Sequence, residues 1–257
     1  MRKWSEKRMK QRALAMLTVF EFKLFLRNFI NVFFLLLFPT MMILMFGGIY
    51  GNEPQDIYNG FGMVDVSVPA YAGMIISVTG LMNLPLTLCE YREKKILKRF
   101  KATPISPSNV ISSQLAVNFC MTVIGMIILV IISKVIFQLK FQGTYIGVVL
   151  VFLLSVLSIF SIGFLIASLA PNMKAGSAIA NIVYFPMLFL TGATVPLEIM
   201  PESMQQVAKF LPVTHVVKAM QGAWLNHNLN DYYISVIVLT VVTVVCFGVS
   251  VLAFRWE

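Results

Sequence analysis

The stretch FQGTYIGVVLVFLLSVLSIFSIGFLIASLAPNM, residues 141–173, contains no Asp, Glu, Lys or Arg. A bilayer hydrocarbon core about 30 Å thick is crossed by roughly 20 apolar helical residues, so this run alone is long enough to span one. The stretches 28–52, 66–89, 102–133, 175–197 and 232–254 share the property. Together they predict an all-α, polytopic membrane protein with six transmembrane helices in a single transmembrane domain, residues 1–257. Trimmed to their loops, the spans run from about Phe29 to Tyr50, Val68 to Leu88, Ser108 to Ser133, Thr144 to Leu169, within 175–197, and Tyr233 to Phe254.

Composition agrees. Hydrophobic residues make up 58% of the chain and charged residues 12%, against about 25% charge in a soluble domain. The net charge of +9 is distributed by topology. Eight Lys/Arg precede the first span and six lie between Arg92 and Lys101, with Lys174 and Arg255 on the same side of a six-span model. The other side receives only Lys134, Lys140, Lys209 and Lys218. By the positive-inside rule both termini are expected in the cytoplasm, and the basic balance points to anionic lipid and not to a nucleic-acid partner. A secretory signal is not expected, because the apolar run after the basic N-terminal region is too long for one. Cys89, Cys120 and Cys246 are odd in number and sit in or beside apolar segments, so they read as packing residues.

Working outward, residues 8–28 are helical in propensity but too charged to span. Ala13, Leu17, Phe20 and Leu24 form a ridge beside Arg12, Lys23 and Arg27, the pattern of a helix lying at the interface or of a simple basic anchor. An outer loop, Gly51 to Val66, carries Glu53, Asp56 and Asp65. After the second span comes the strongly charged segment 90–101, with Glu90 and Glu93 in its first turn and bases in its last, complementing a helix dipole. Glu90 and Lys94 form a favourable i,i+4 pair, and Ile96, Leu97 and Phe100 make a small apolar face. Thr103 before Pro104 ends this amphipathic helix, and Ser106-Pro107 starts the next span. Beyond the fifth span the helix breaks at Thr191–Pro201. Two short amphipathic repeats follow, Met204/Val207/Ala208/Leu211 and Val213/Val216/Val217/Met220/Trp224, too short to cross and expected as outer re-entrant or interfacial helices within 196–224.

Chemistry-bearing motifs are sparse. The sequence has no G-x-x-x-x-G-K-[ST] P-loop, no HExxH and no CxxC, so no catalytic, cofactor or metal residues are assigned and enzymatic activity is not expected. No carboxylate falls inside the predicted spans, which disfavours ion-coupled secondary transport. Asn31, Asn83, Asn118, Asn181 and Thr191 are the mild polar residues of the spans; they read as interhelical hydrogen-bonding groups or as the lining of a pathway. Glu198, Glu202 and His215 read as solvated loop residues or as parts of an outer gate.

Three places carry a family resemblance: Glu90-Tyr-Arg-Glu93 with Ala102-Thr-Pro-Ile-Ser106, Leu188-Phe-Leu-Thr-Gly-Ala-Thr-Val-Pro-Leu-Glu-Ile-Met-Pro201, and Phe210-Leu-Pro-Val-Thr-His215. In order and spacing the chain resembles the membrane (permease) subunit of type-2 ABC exporters of the drug, antibiotic and bacteriocin branch. The resemblance implies that 90–101 is a coupling helix docking on a separate ATPase subunit through Glu90, Arg92, Glu93, Ile96, Leu97 and Phe100. It also implies that the interface helix and the loop at Pro171–Lys174 lie near that contact. Two ATPase copies would carry ATP and Mg, and two permease copies, a homodimer or a heterodimer, would form the path. The expected setting is the plasma membrane of a bacterium, with drug, antibiotic, peptide or lipid-like cargo. A polysaccharide or teichoic-acid exporter, or an ATP-independent channel or secondary transporter, are the alternatives.

Overall fold

The computed structural model describes residues 2–58, 60–96, 107–192 and 200–253. Among these the secondary structure is helical, apart from an isolated Gln55–Phe61 bridge. Helix α1 (Arg2–Arg27) is followed by the first span, α2 (Phe29–Tyr50), and the second, α3 (Met63–Glu93). The third to fifth spans are α4 (Pro107–Phe137), α5 (Tyr145–Leu169) and α6 (Met173–Leu190). Two short helices, α7 (Glu202–Ala208) and α8 (Pro212–Trp224), precede the sixth span, α9 (Leu229–Ala253). Among the described residues six helices are thus long and apolar enough to cross a membrane.

The second span is the axis of the molecule. Its most apolar window is 83% buried, against 17% for the first span and 11% for the sixth. Small residues allow this: a Cβ on Gly163 of α5 would collide with the backbone carbonyl of Gly80, so α3 and α5 cross backbone to backbone. Van der Waals contact of this kind is the principal force between helices in lipid.

Two of the prolines within the spans sit just after a π-helical turn, Pro39 after Phe33–Leu37 and Pro85 after Val78–Asn83, while Pro69 and Pro186 lie inside α-helical stretches. Proline removes an N–H and clashes with the carbonyl four residues back; the wider turn relieves both constraints, and such turns cluster at functional sites.

Helix α8 is a wedge. Its apolar face, Val213, Val216, Val217 and Met220, is buried against α3, α5 and α9. Gln221 Nε2 donates to the Val66 carbonyl at 3.2 Å. The short helix α7 is different: Met204 and Val207 are exposed, and of its apolar repeat Ala208 is buried.

Two boundaries depart from expectation. The second span does not end at Leu88 but continues to Glu93, where Lys94 caps it and Lys95 adopts φ 55°. A left-handed residue cannot continue an α-helix, so the helix ending at Glu93 does not run on through Lys95, and residues 97–101 of the expected coupling helix lie outside the described residues. At its other end the same span begins at Met63, which draws Asp65 into the first helical turn. The expectation of carboxylate-free spans is therefore corrected.

Candidate functional site

At the basic end, the last turn of α3 reaches three other helices. The Arg92 guanidinium donates to the Ala167 carbonyl at 3.0 Å and to the Ala170 carbonyl, both at the C-terminal end of α5, where carbonyls lack helical partners. Glu93 Oε2 accepts from the Met173 N–H at 2.8 Å, the first residue of α6. A cation thus sits on the negative end of one helix dipole and an anion on the positive end of the next. Asn172 completes the junction by accepting from the Ala175 N–H at 2.9 Å. The tight connection between the fourth and fifth spans is clamped to the root of the charged segment.

Tyr91 points the other way. Its hydroxyl donates to Glu21 Oε2 of α1 at 2.5 Å and accepts from Gln114 Nε2 of α4 at 3.1 Å. Burial pushes the Glu21 carboxyl above the ordinary carboxylate range, with hydrogen bonds from Tyr91 and Gln114 opposing the shift. Leu17, Tyr91 and Val110 form a satellite core with Ile96 packed on it. Glu90 holds Lys94 at 2.5 Å.

From Tyr91 and Gln114 a buried polar column runs up the α3–α4 contact. Thr79 and Thr122 meet through their hydroxyls at 2.9 Å. One turn toward the basic end on each antiparallel helix stand Asn83 and Asn118. Asn118 Nδ2 donates to the Gln114 carbonyl at 2.8 Å, while Asn83 Nδ2 and Asn118 Oδ1 are buried with no hydrogen-bond partner.

At the opposite end Asp65 is fully buried. It accepts from Asn52 Nδ2 at 2.9 Å, the Lys140 N–H at 2.8 Å and the Gly62 N–H at 3.3 Å. Asn52 also caps α3 by accepting from the Val64 and Asp65 N–H groups, and its Nδ2 donates to the Phe137 carbonyl. His215 joins α8 to α9: Nε2 lies 2.9 Å from the Lys209 carbonyl and Nδ1 3.1 Å from Ser235 Oγ. A carbonyl only accepts, so Nε2 carries the proton and Nδ1 accepts from the hydroxyl. Desolvation lowers the His215 pKa, and Lys218 adds to this; the bond to Lys209 opposes it.

Residues 12–225 match the family model described as ABC-2 type transporter. The chain belongs to that family. It is 26% identical over 199 residues to ycf38, a transport permease of Porphyra purpurea, covering 75% of this chain and 67% of that one. It is 33% identical over 95 residues to nodulation protein J of Rhizobium leguminosarum bv. viciae, 37% of either chain. It is 24% identical over 187 residues to the daunorubicin resistance ABC transporter permease protein DrrB1 of Streptomyces coeruleorubidus, covering 72% of this chain and 63% of that one. These relatives mark a membrane transport subunit, and the family implies an ABC ATPase as its partner.

In this ABC-2 permease the residues expected to face an ATPase are largely engaged within the chain. Arg92 and Glu93 clamp the 170–173 connection, Ile96 packs on the satellite core and Glu90 pairs with Lys94. Leu97 and Phe100 lie outside the described residues, as does Glu198. The five polar candidates do not share one surface. Asn83, Asn118 and Thr191 are buried inside a single chain, whereas Asn31 and Asn181 are half-buried. Thr191 returns its hydroxyl to the Met187 carbonyl at 2.5 Å. Glu202 is exposed in the first turn of α7. The sequence reading gave no site role to Glu21, Gln114 or Tyr91, the last quoted only within the Glu90–Glu93 motif, and it placed Asp65 in the outer loop. For Asp65 a signal existed: Gly62 three residues before an acid is the start of a capping arrangement.

Proposed function

We propose that this chain is the permease subunit of an ATP-driven exporter, with its basic end cytoplasmic and the segment after Glu93 docked on a separate ATPase. The observation that carries this is the clamp at Arg92 and Glu93. A push on the segment 96–106 is delivered to its root, and the root is bonded to the ends of the fourth and fifth spans. ATP can shift the inward–outward equilibrium only if the ATPase binds the two states unequally. A clamp at the helix ends gives that difference a route into the spans. Export of a drug, antibiotic, peptide or lipid-like molecule is favoured by the relative named for daunorubicin resistance. Two permease copies with two ATPase subunits fit the exposed faces of the first, fifth and sixth spans, whose apolar windows are 17%, 28% and 11% buried.

The test is co-expression with a candidate ABC ATPase, sought first in the reading frames adjacent to this chain's gene, followed by purification through a tag on the permease. An ATPase retained in stoichiometric amount, together with ATP-dependent flux in proteoliposomes, is expected. Flux by the permease alone, unchanged by ATP, would replace this reading with a channel or secondary transporter. Single-cysteine labelling checks orientation: a cysteine at 94 should be shielded from outside intact cells and one at 55 labelled.

A further inference from the structure

A cavity of about 450 Å³ opens at the basic end between α1, the last turn of α3 and the first turns of α4. Its size falls within the range of small-molecule sites. Glu21 lines it and is only 5% exposed. The hydrogen-bond partners of that carboxylate, Tyr91 and Gln114, are neutral. Among the described residues the one cation along the cavity, Lys94, is held by Glu90 at 2.5 Å. Among the described residues Glu21 therefore has no counter-charge, and a buried carboxylate without one is costly. The remaining walls are mixed: Leu17, Phe20, Leu24, Phe25 and Ile96 form an apolar and aromatic side beside Tyr91, and Asn28, Asn31 and Thr87 add neutral polar groups. Aromatic faces attract cations. Hard inorganic cations instead demand several oxygen ligands, carboxylates above all, and among the described residues no group of three or more His, Cys, Asp or Glu side chains is assembled to hold a metal ion.

We propose that this cavity binds an amphipathic organic cation, with Glu21 as its counter-charge and the rings of Phe20, Phe25 and Tyr91 around its apolar body. The site lies at the basic end of the second span, and Gln114 in its wall is joined to the buried polar column by the Asn118 Nδ2 bond to its carbonyl. Binding stands on the geometry alone; that the bound cation is exported cargo rests on the export reading above.

The purified full-length permease in detergent is dialysed to equilibrium against radiolabelled tetraphenylphosphonium. Neutral triphenylphosphine oxide, similar in shape, serves as competitor. Saturable binding is expected, with affinity falling by at least about tenfold in Glu21→Gln, the scale of one charged buried contact. The neutral competitor should be correspondingly weak. Leu24→Trp, which fills the cavity from an exposed face of α1, should also abolish binding, and it carries the test if Glu21→Gln fails to fold. Absence of saturable binding, equal affinity in Glu21→Gln or Leu24→Trp, or equal competition by the neutral oxide overturns the proposal. Because no ATPase is present, Glu21-dependent binding can hold even if the export reading fails, and export can hold if binding fails.

Discussion

The two ends of the second span are secured by opposite means. At one end Asp65, a short side chain with no exposure, accepts three hydrogen bonds between 2.8 and 3.3 Å and knots the Asn52 loop, the Gly62 turn and the Lys140 link together. At the other end Tyr91, Arg92 and Glu93 are long side chains reaching α4, α1, α5 and α6, beside a 450 Å³ cavity. Short, saturated and buried contacts make a fixed point. Long contacts spread over separate helices make a joint. A helix fixed at one end and jointed at the other turns a push at the joint into a tilt.

Breaking the fixed point should have the largest effect on stability. Asp65→Ala leaves three donors unsatisfied, each worth about 1–3 kcal/mol when buried, and is expected to cost at least about 3 kcal/mol by thermal unfolding in detergent. Next comes the crossing between the two ends. Gly163→Ala drives a methyl into the Gly80 carbonyl and should cost about 1–3 kcal/mol, as overpacking does. At the joint, Arg92→Ala should lower stability by only about 1–2 kcal/mol, because Arg92 as a residue is half-buried and its buried Nε has no partner to lose, and water replaces part of the rest. If Arg92→Ala proved more destabilising than Asp65→Ala, the contrast between joint and fixed point would be wrong.

The smallest effect sharpens the comparison through pH. His215 has a folded pKa below its ordinary value of 6.5. The unfolded chain therefore takes up the proton first, and the neutral ring's contribution, complete above 6.5, is lost as pH falls toward the folded value. Wild-type protein should lose stability between pH 7 and the acid side of 6.5 more steeply than His215→Gln. Parallel melting curves for the two proteins across that window would contradict the assignment.

The span positions were legible because charge exclusion from lipid is a strong, local signal. The first and fourth spans fall within a residue of their expected limits. The ends of the second span were not legible in the same way. Hydropathy stops where charge begins, yet Asp65 and Arg92 are taken into the helix because N–H donors or helix-end carbonyls satisfy them. The helix stop at Lys95 depends on a left-handed backbone at a non-glycine residue, for which local sequence carries no mark. The coupling segment was found by its charge, but its partners lie 70 to 80 residues away in the chain, beyond any periodicity. The polar residues of the spans were visible as a set; only packing divides Asn83 and Asn118, inside the chain, from Asn31 and Asn181 near its surface.

The central claim is that the clamp at Arg92 and Glu93 carries the ATPase's movement into the spans, and the double variant Arg92→Ala/Glu93→Gln tests it most directly. Reconstituted with its ATPase, the variant is assayed in the same vesicles for ATP hydrolysis and for cargo flux. The account predicts hydrolysis close to that of wild type, with cargo moved per ATP falling about tenfold, the scale of a 1–3 kcal/mol coupling energy. An unchanged ratio of flux to hydrolysis would contradict it.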